Sequence, residues 1–290
     1  MRKSLTYKIL AAVMAAGSLS LYAATPVAAA DDYTVNNDGE TLNDEYNNIY
    51  GNGYSFTITG GKIINVYGAG NGNKDYDKDA SGGNVTINGN VEVTSVVCGG
   101  RSDGISAHHN TVNISDGSVT GNVFGGTSES GQAHHNIVNI SGDNSKVTRV
   151  YGGYVAQGIA NNNEIIVSGS ANITNANLYG RNDKASGTGN TLTIDGWSGS
   201  TQSVQNFNDI AFKNISWDDE EPVLRITAGS ADDLDKTTID TIHIAGGSNI
   251  NVGESMTLIK SEDAPFVSIG TVTDTFTAGV AREGFVSTSV

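Results

Sequence analysis

One block of this chain is written twice. Residues 107–126 read AHHNTVNISDGSVTGNVFGG and residues 133–153 read AHHNIVNISGDNSKVTRVYGG. Both open on Ala-His-His-Asn, run through alternating apolar residues, turn on Gly and close on Val-aromatic-Gly-Gly. A block recurring at this scale is one supersecondary unit that stacks on copies of itself. Aligning copies on the end of the alternating run gives Ile58, Ile87, Ile114, Ile140, Val167 and Ile194. Aligning on the Gly after the aromatic gives Gly68, Gly99, Gly125, Gly152 and Gly180. Both anchors keep a period of 26–28 residues, with one insertion between Gly68 and Ser81.

Each copy holds two short β runs joined by Gly or Asp-Gly turns, and none holds the ten or more residues of 3.6 periodicity that a helix requires. A propeller blade needs about 40 residues and four strands. The expected fold is therefore all-β, a parallel β-solenoid, and the handedness preference of parallel crossovers makes it a right-handed β-helix. Composition agrees. The chain has 37 Gly but only 3 Pro (Pro26, Pro222 and Pro265), and none lies between Asp31 and Glu221, so a hydrogen-bonded strand stack is uninterrupted there.

Four segments follow. Residues 1–30 read as a secretory signal peptide: Arg2, Lys3 and Lys8 precede an apolar stretch from Ile9 to Leu21, and Ala28-Ala29-Ala30 offers a cleavage site. The apolar stretch is too short and too interrupted to span a membrane, and no later one is longer. Residues 31–53, rich in Asn and Asp, are expected to cap the open edge of the stack. Residues 54–200 carry the regular repeats. Residues 201–290 continue as a less regular β region, with strand-like runs at 209–215, 223–227, 238–245, 255–260 and 266–271.

Register places residues in columns about 4.8 Å apart along the axis. Tyr67, Cys98, Phe124, Tyr151 and Tyr179 form one column, preceded by Val66, Val97, Val123, Val150 and Leu178; one of the two must face the core. Cys98 stands in an aromatic's place and reads as a small buried apolar residue. As the chain's one cysteine it has no internal disulfide partner. Asn84, Asn110, Asn136, Asn163 and Asn190 form a further column near the strand starts, where stacked amides can bond to one another.

Two groups have metal-ligating chemistry. His108 and His109 fall one period from His134 and His135, which sets two imidazole pairs on a turn, and imidazole binds Zn²⁺, Ni²⁺ or Cu²⁺. The column does not extend to neighbouring rungs, where Gly83, Asn161 and Asn162 stand, so these read first as turn residues duplicated with the repeat. Asp75, Asp77 and Asp79 alternate in the insertion like the start of a calcium loop, but Ala80 replaces the required sixth-position Gly and Thr86 the twelfth-position Glu. Neither group is taken as a metal site, and no cofactor is expected.

Losing the first thirty residues takes the net charge from −15 to about −18. So acidic a chain is a poor partner for phosphate backbones, which argues against nucleic acid. The thirteen Lys and Arg left form no constellation with carboxylates of the kind polysaccharide-cleaving β-helices use, so no catalysis is expected.

The units NTVNISDGSVTGNVFGG, NIVNISGDNSKVTRVYGG and NEIIVSGSANITNANLYG resemble the Val-Tyr-Gly-Gly repeats of type V autotransporter passengers of Gram-negative bacteria. The stretch VQNFNDIAFKNISWDDEEPVLRIT, then NVGESMTLIKS, is similar to the region that follows such repeats, and the resemblance covers about residues 54–261. It implies an exported, adhesin-like passenger at the cell surface whose partners are host or cell-surface molecules, glycans among them. The C-terminal outer-membrane barrel of that family, with its many ten-residue strands, has no counterpart after Gly270. The alternatives are a truncated passenger fragment without activity and a carbohydrate-active β-helix enzyme.

Overall fold

The computed structural model describes residues 30–70, 79–216, 221–228, 234, 237–245 and 256–261. The expected signal segment up to Ala29, Asp75, Asp77 and the run 266–271 lie outside them. Among the described residues there is no α-helix, and the strands pair in parallel with the strand one rung away. The chain is a parallel β-solenoid.

A full rung has three faces. The first face holds Thr111–Ile114, Ile137–Ile140, Glu164–Ser168, Thr191–Asp195, Asp209–Ile215 and Thr238–Ile244. The second holds Gly117–Ser128, Ser145–Val155, Asn177–Arg181 and Ser203–Gln205. The short third face holds Ala80–Ser81, Ser106–His108, Gln132–His134 and Ile159–Asn161. Two longer strands, Ser55–Ala69 and Asn84–Ser102, bend from the first face into the second. The segment expected as a cap continues the stack: Glu40–Leu42 pairs with Phe56–Ile58, Tyr50 pairs with Tyr67, and Tyr33–Thr34 pairs in turn with Ile49–Tyr50. Here, and where Thr191 pairs with Asp209, the stride falls to 16–18 residues because the third face is missing.

Alternation settles which columns are inside. Leu42, Ile58, Ile87, Ile114, Ile140, Val167, Ile194 and Phe212 stack inward from the first face. Ile49, Val66, Val97, Val123, Val150, Leu178 and Val204 stack inward from the second. Each such side chain contributes about 1.5–3 kcal/mol of hydrophobic stabilisation. The aliphatic column is thus the core column, and the aromatic one points outward.

The corner between third and first faces is polar yet sealed. Asn110, Asn136, Asn163 and Asn190 are fully buried and stacked. Asn110 donates from Nδ2 to Asn136 Oδ1 (3.0 Å) and to Ala80 O (2.9 Å), and from its backbone N to the same Oδ1 (3.2 Å). Asn136 repeats this on Asn163 and Ala107, and Asn163 repeats it on Asn190 and Ala133. Both amide hydrogens and the carbonyl of Asn110, Asn136 and Asn163 are used, as a buried polar group requires, while Asn190 Nδ2 donates to Ala160 O (2.9 Å). The column ends in Asn208, whose Oδ1 accepts from Asn190 N (3.0 Å).

Asn84 is not in this column, which corrects the sequence expectation. Its partner in register is Thr111, and Gly83 stands where the ladder residue would, donating its N–H to Asn110 Oδ1 (3.0 Å). Asn84 instead begins an outer chain of amides: its Oδ1 accepts from Asn113 Nδ2 (2.9 Å), and Asn113 Oδ1 accepts from Asn139 Nδ2 (2.8 Å). A slip of one residue exchanges inside for outside.

The ladder explains the Gly-Gly that closes three successive rungs, at 99–100, 125–126 and 152–153. A Cβ on Gly100, Gly126 or Gly153 would lie 2.3, 2.5 or 2.5 Å from the Nδ2 of Asn110, Asn136 or Asn163. One on Gly99 or Gly125 would lie 2.4 or 2.5 Å from the carbonyl oxygen of the glycine one rung on. The amide therefore packs against bare backbone. Where Gly83 replaces the asparagine, Ala69 is accommodated in register with Gly100. Arg181 ends the Gly-Gly series by turning outward, with Nη1 donating to Ala185 O (2.7 Å).

In urea unfolding, Asn136→Ala is expected to lose about 3 kcal/mol or more, because it strands several buried partners, while Asn84→Ala loses at most about 1 kcal/mol. Gly126→Ala is expected to be severely destabilising. Combined with Asn136→Gly, which copies the natural Ala69 and Gly83 arrangement, it should cost less than the two single changes added.

Candidate functional site

The outward face of the second sheet carries aromatic residues in register. Tyr50 stacks on Tyr67 (centroids 5.8 Å, planes 9° apart), Phe124 on Tyr151 (5.3 Å, 26°) and Tyr151 on Tyr179 (4.5 Å, 10°). Tyr154 meets Phe124 and Tyr151 edge-on at 5.2 and 5.5 Å. Burial, followed by the neighbouring Tyr179, pushes the Tyr151 phenol above its ordinary range. Tyr67 pairs with Cys98, and Cys98 with Phe124, so the thiol sits between two aromatic rungs. It is fully buried, with Sγ 3.0 Å from Gly100 O. Burial pushes its pKa up to about 12.

The histidines stand at the end of the third face, just before the asparagine corner. Residues consecutive in a strand point to opposite faces, but His109 and His135 adopt left-handed backbone, with φ of 52° and 53°. That turn swings the second imidazole of each pair back beside the first. Nδ1 of His108 lies 2.8 Å from Nδ1 of His109, and Nδ1 of His134 lies 2.9 Å from Nδ1 of His135. Between rungs, His108 stacks on His134 (4.9 Å) and His109 on His135 (5.1 Å), each within 3° of parallel.

The outer nitrogens also meet polar groups. His134 Nε2 is 3.0 Å from Ser106 Oγ, His135 Nε2 is 3.5 Å from Asn162 Nδ2, and His108 Nε2 is 3.9 Å from Asp79 Oδ2. Burial, then repulsion from His108, His135 and His109, holds the His134 pKa below the usual histidine range, while Asp79 opposes the shift. Gly82, Asn162 and Gly189 take the positive-φ position in the neighbouring rungs, as Gly53 does in the short first one. Ser81 and Asn161 stand in register with His108 and His134. The residue next to His109 in this column is thus Gly82, not the Gly83 expected from sequence, which is the same one-residue slip seen at Asn84.

Of the alternating acidic residues, Asp79 falls within the described residues and it faces His108. Among the described residues, no three His, Cys, Asp or Glu side chains converge as a metal cluster. Sequence reasoning missed Tyr50, Tyr154, Asn208 and Ser106, and it named Asp79 and Asn162 without placing them against the histidine rings. Tyr50 and Asn208 sit in the short end rungs, outside the 26–28 period that revealed the columns.

Comparison of the chain with protein-family models, curated proteins and solved structures gave no match.

The folded chain should resist iodoacetamide at pH 8 and take up one equivalent, at Cys98, in denaturing urea. Rapid labelling of the folded protein would show that this column is open to solvent.

Proposed function

We propose that the chain is an exported, adhesin-like passenger β-solenoid displayed at the surface of a Gram-negative bacterium. It binds host or cell-surface molecules, glycans among them, and leaves them chemically unchanged. The observation that carries this reading is the outward aromatic column of Phe124, Tyr151 and Tyr179 with Tyr154 beside it. Core residues would have been satisfied by aliphatics, and the inner columns are aliphatic throughout the same rungs. The aromatic rings are left partly exposed on the outward face.

The rings stack on one another, so their faces are largely taken. A ligand meets ring edges and neighbouring polar side chains, repeated once per rung. Contacts of that kind are individually weak and gain strength by repetition along an extended ligand or a crowded surface. Export is supported by the basic, then apolar, then small-residue order of the first thirty residues. Among the described residues no helix is long and apolar enough to cross a membrane.

Glycan-array and cell-binding assays with the purified chain test the reading. Saturable binding without product is expected, and Tyr151→Ser with Tyr179→Ser should weaken it at least tenfold while the β-type circular-dichroism spectrum is kept. Product release from a polysaccharide, abolished by replacing a surface carboxylate, would overturn it in favour of an enzyme.

A further inference from the structure

We propose that each histidine pair at the third-face corner, His108 with His109 and His134 with His135, chelates a divalent transition ion of tetragonal preference, Cu²⁺ or Ni²⁺. The argument is geometric. With metal–nitrogen bonds of about 2.0–2.1 Å, two nitrogens at a right angle lie about 2.8–3.0 Å apart, whereas tetrahedral ligands lie about 3.3–3.4 Å apart. The Nδ1 separations of 2.8 and 2.9 Å are those of a hydrogen bond in the metal-free pair, and they leave the two nitrogens already at the first spacing, so a right-angled pair forms with little ring movement. Imidazole nitrogens in a square-planar or tetragonal arrangement select Cu²⁺ and Ni²⁺.

The surroundings are those of histidine ligands. A ligating imidazole characteristically gives its other N–H to a carboxylate, hydroxyl or carbonyl group, which fixes the tautomer. Here Asp79 faces Nε2 of His108 and Ser106 faces Nε2 of His134. The Asn162 Nδ2 beside Nε2 of His135 is itself a donor, so that amide must turn its Oδ1 inward when this nitrogen carries a proton. In the metal-free pair one Nδ1 carries a proton and donates it to the other. On coordination that proton moves to Nε2 of the same ring, so both Nδ1 lone pairs reach the ion. A neutral pair thereby binds with no net proton release. The left-handed backbone at His109 and His135 holds the two ligands together before the ion arrives.

The rungs lie too far apart for one ion to gather all four rings, in keeping with the absence of a three-ligand cluster among the described residues. Each pair therefore takes its own ion, with water in the open positions, and repulsion between neighbouring ions weakens the second. Ser81 and Asn161 bound the site on either side.

The test is titration of the purified chain with CuCl₂ alone, followed by calorimetry and electron paramagnetic resonance. Two ions per chain are expected, the second weaker, each with a tetragonal spectrum showing two equatorial nitrogens. The double variant His109→Asn and His135→Asn keeps a residue that the same corner already uses at Asn162, so it should fold with an unchanged melting profile. Its copper affinity should fall at least tenfold. Equal copper binding by the folded double variant, or a one-nitrogen spectrum in the unaltered chain, would overturn the proposal.

Discussion

The structure depends on a row of asparagine side chains that have been taken entirely out of water. A buried amide is tolerable only when both hydrogens and the oxygen find partners, and a solenoid can supply them only if the rung above and the rung below are in register. Asn110, Asn136, Asn163 and Asn190 therefore act on the whole stack: each bonds to the next and to a backbone carbonyl one rung behind. A slip of one residue would leave several buried groups unpaired at every rung. The aliphatic columns supply most of the stabilisation but discriminate poorly between registers, since Val and Ile pack acceptably against one another. The amides make the discrimination.

The same interaction accounts for features that look unrelated along the chain. The Gly-Gly pairs at 99–100, 125–126 and 152–153 give the amide a backbone wall to lie against. The left-handed residue before each asparagine turns the chain from the third face to the first so that the amide points inward. That residue has no inward duty of its own. Where it is histidine, its ring is left on the outside beside its neighbour's, and a structural requirement of the corner becomes a pair of convergent nitrogens. The aromatic column follows the same logic, because the interior is filled by the aliphatic column and the alternate positions are free to face outward.

Periodicity made the inner columns and the rung length legible, since anchors at Ile and at Gly keep one stride over residues 54–200. Asn84 was misplaced because Gly83-Asn84 and Asn110-Thr111 both put an asparagine beside a strand start, and a pattern of period two cannot tell which neighbour points inward. Tyr50 and Asn208 were hidden because the end rungs omit the third face and shorten the stride to 16–18 residues. The histidine pairs were visible as residues but not as a site. Their convergence depends on a positive φ that the sequence signals elsewhere only through Asn and Gly at the same corner. Ser106 and Asp79 reach the rings through folding, with no local motif to announce them.

The claim that buried asparagines set the register is tested most directly by hydrogen exchange, followed by nuclear magnetic resonance, at the side-chain amides. The Nδ2 protons of Asn110, Asn136 and Asn163 should exchange as slowly as the most protected backbone amides of the first face, and far more slowly than those of exposed asparagines such as Asn37. Exchange of the ladder amides at the rate of exposed side chains would contradict the account.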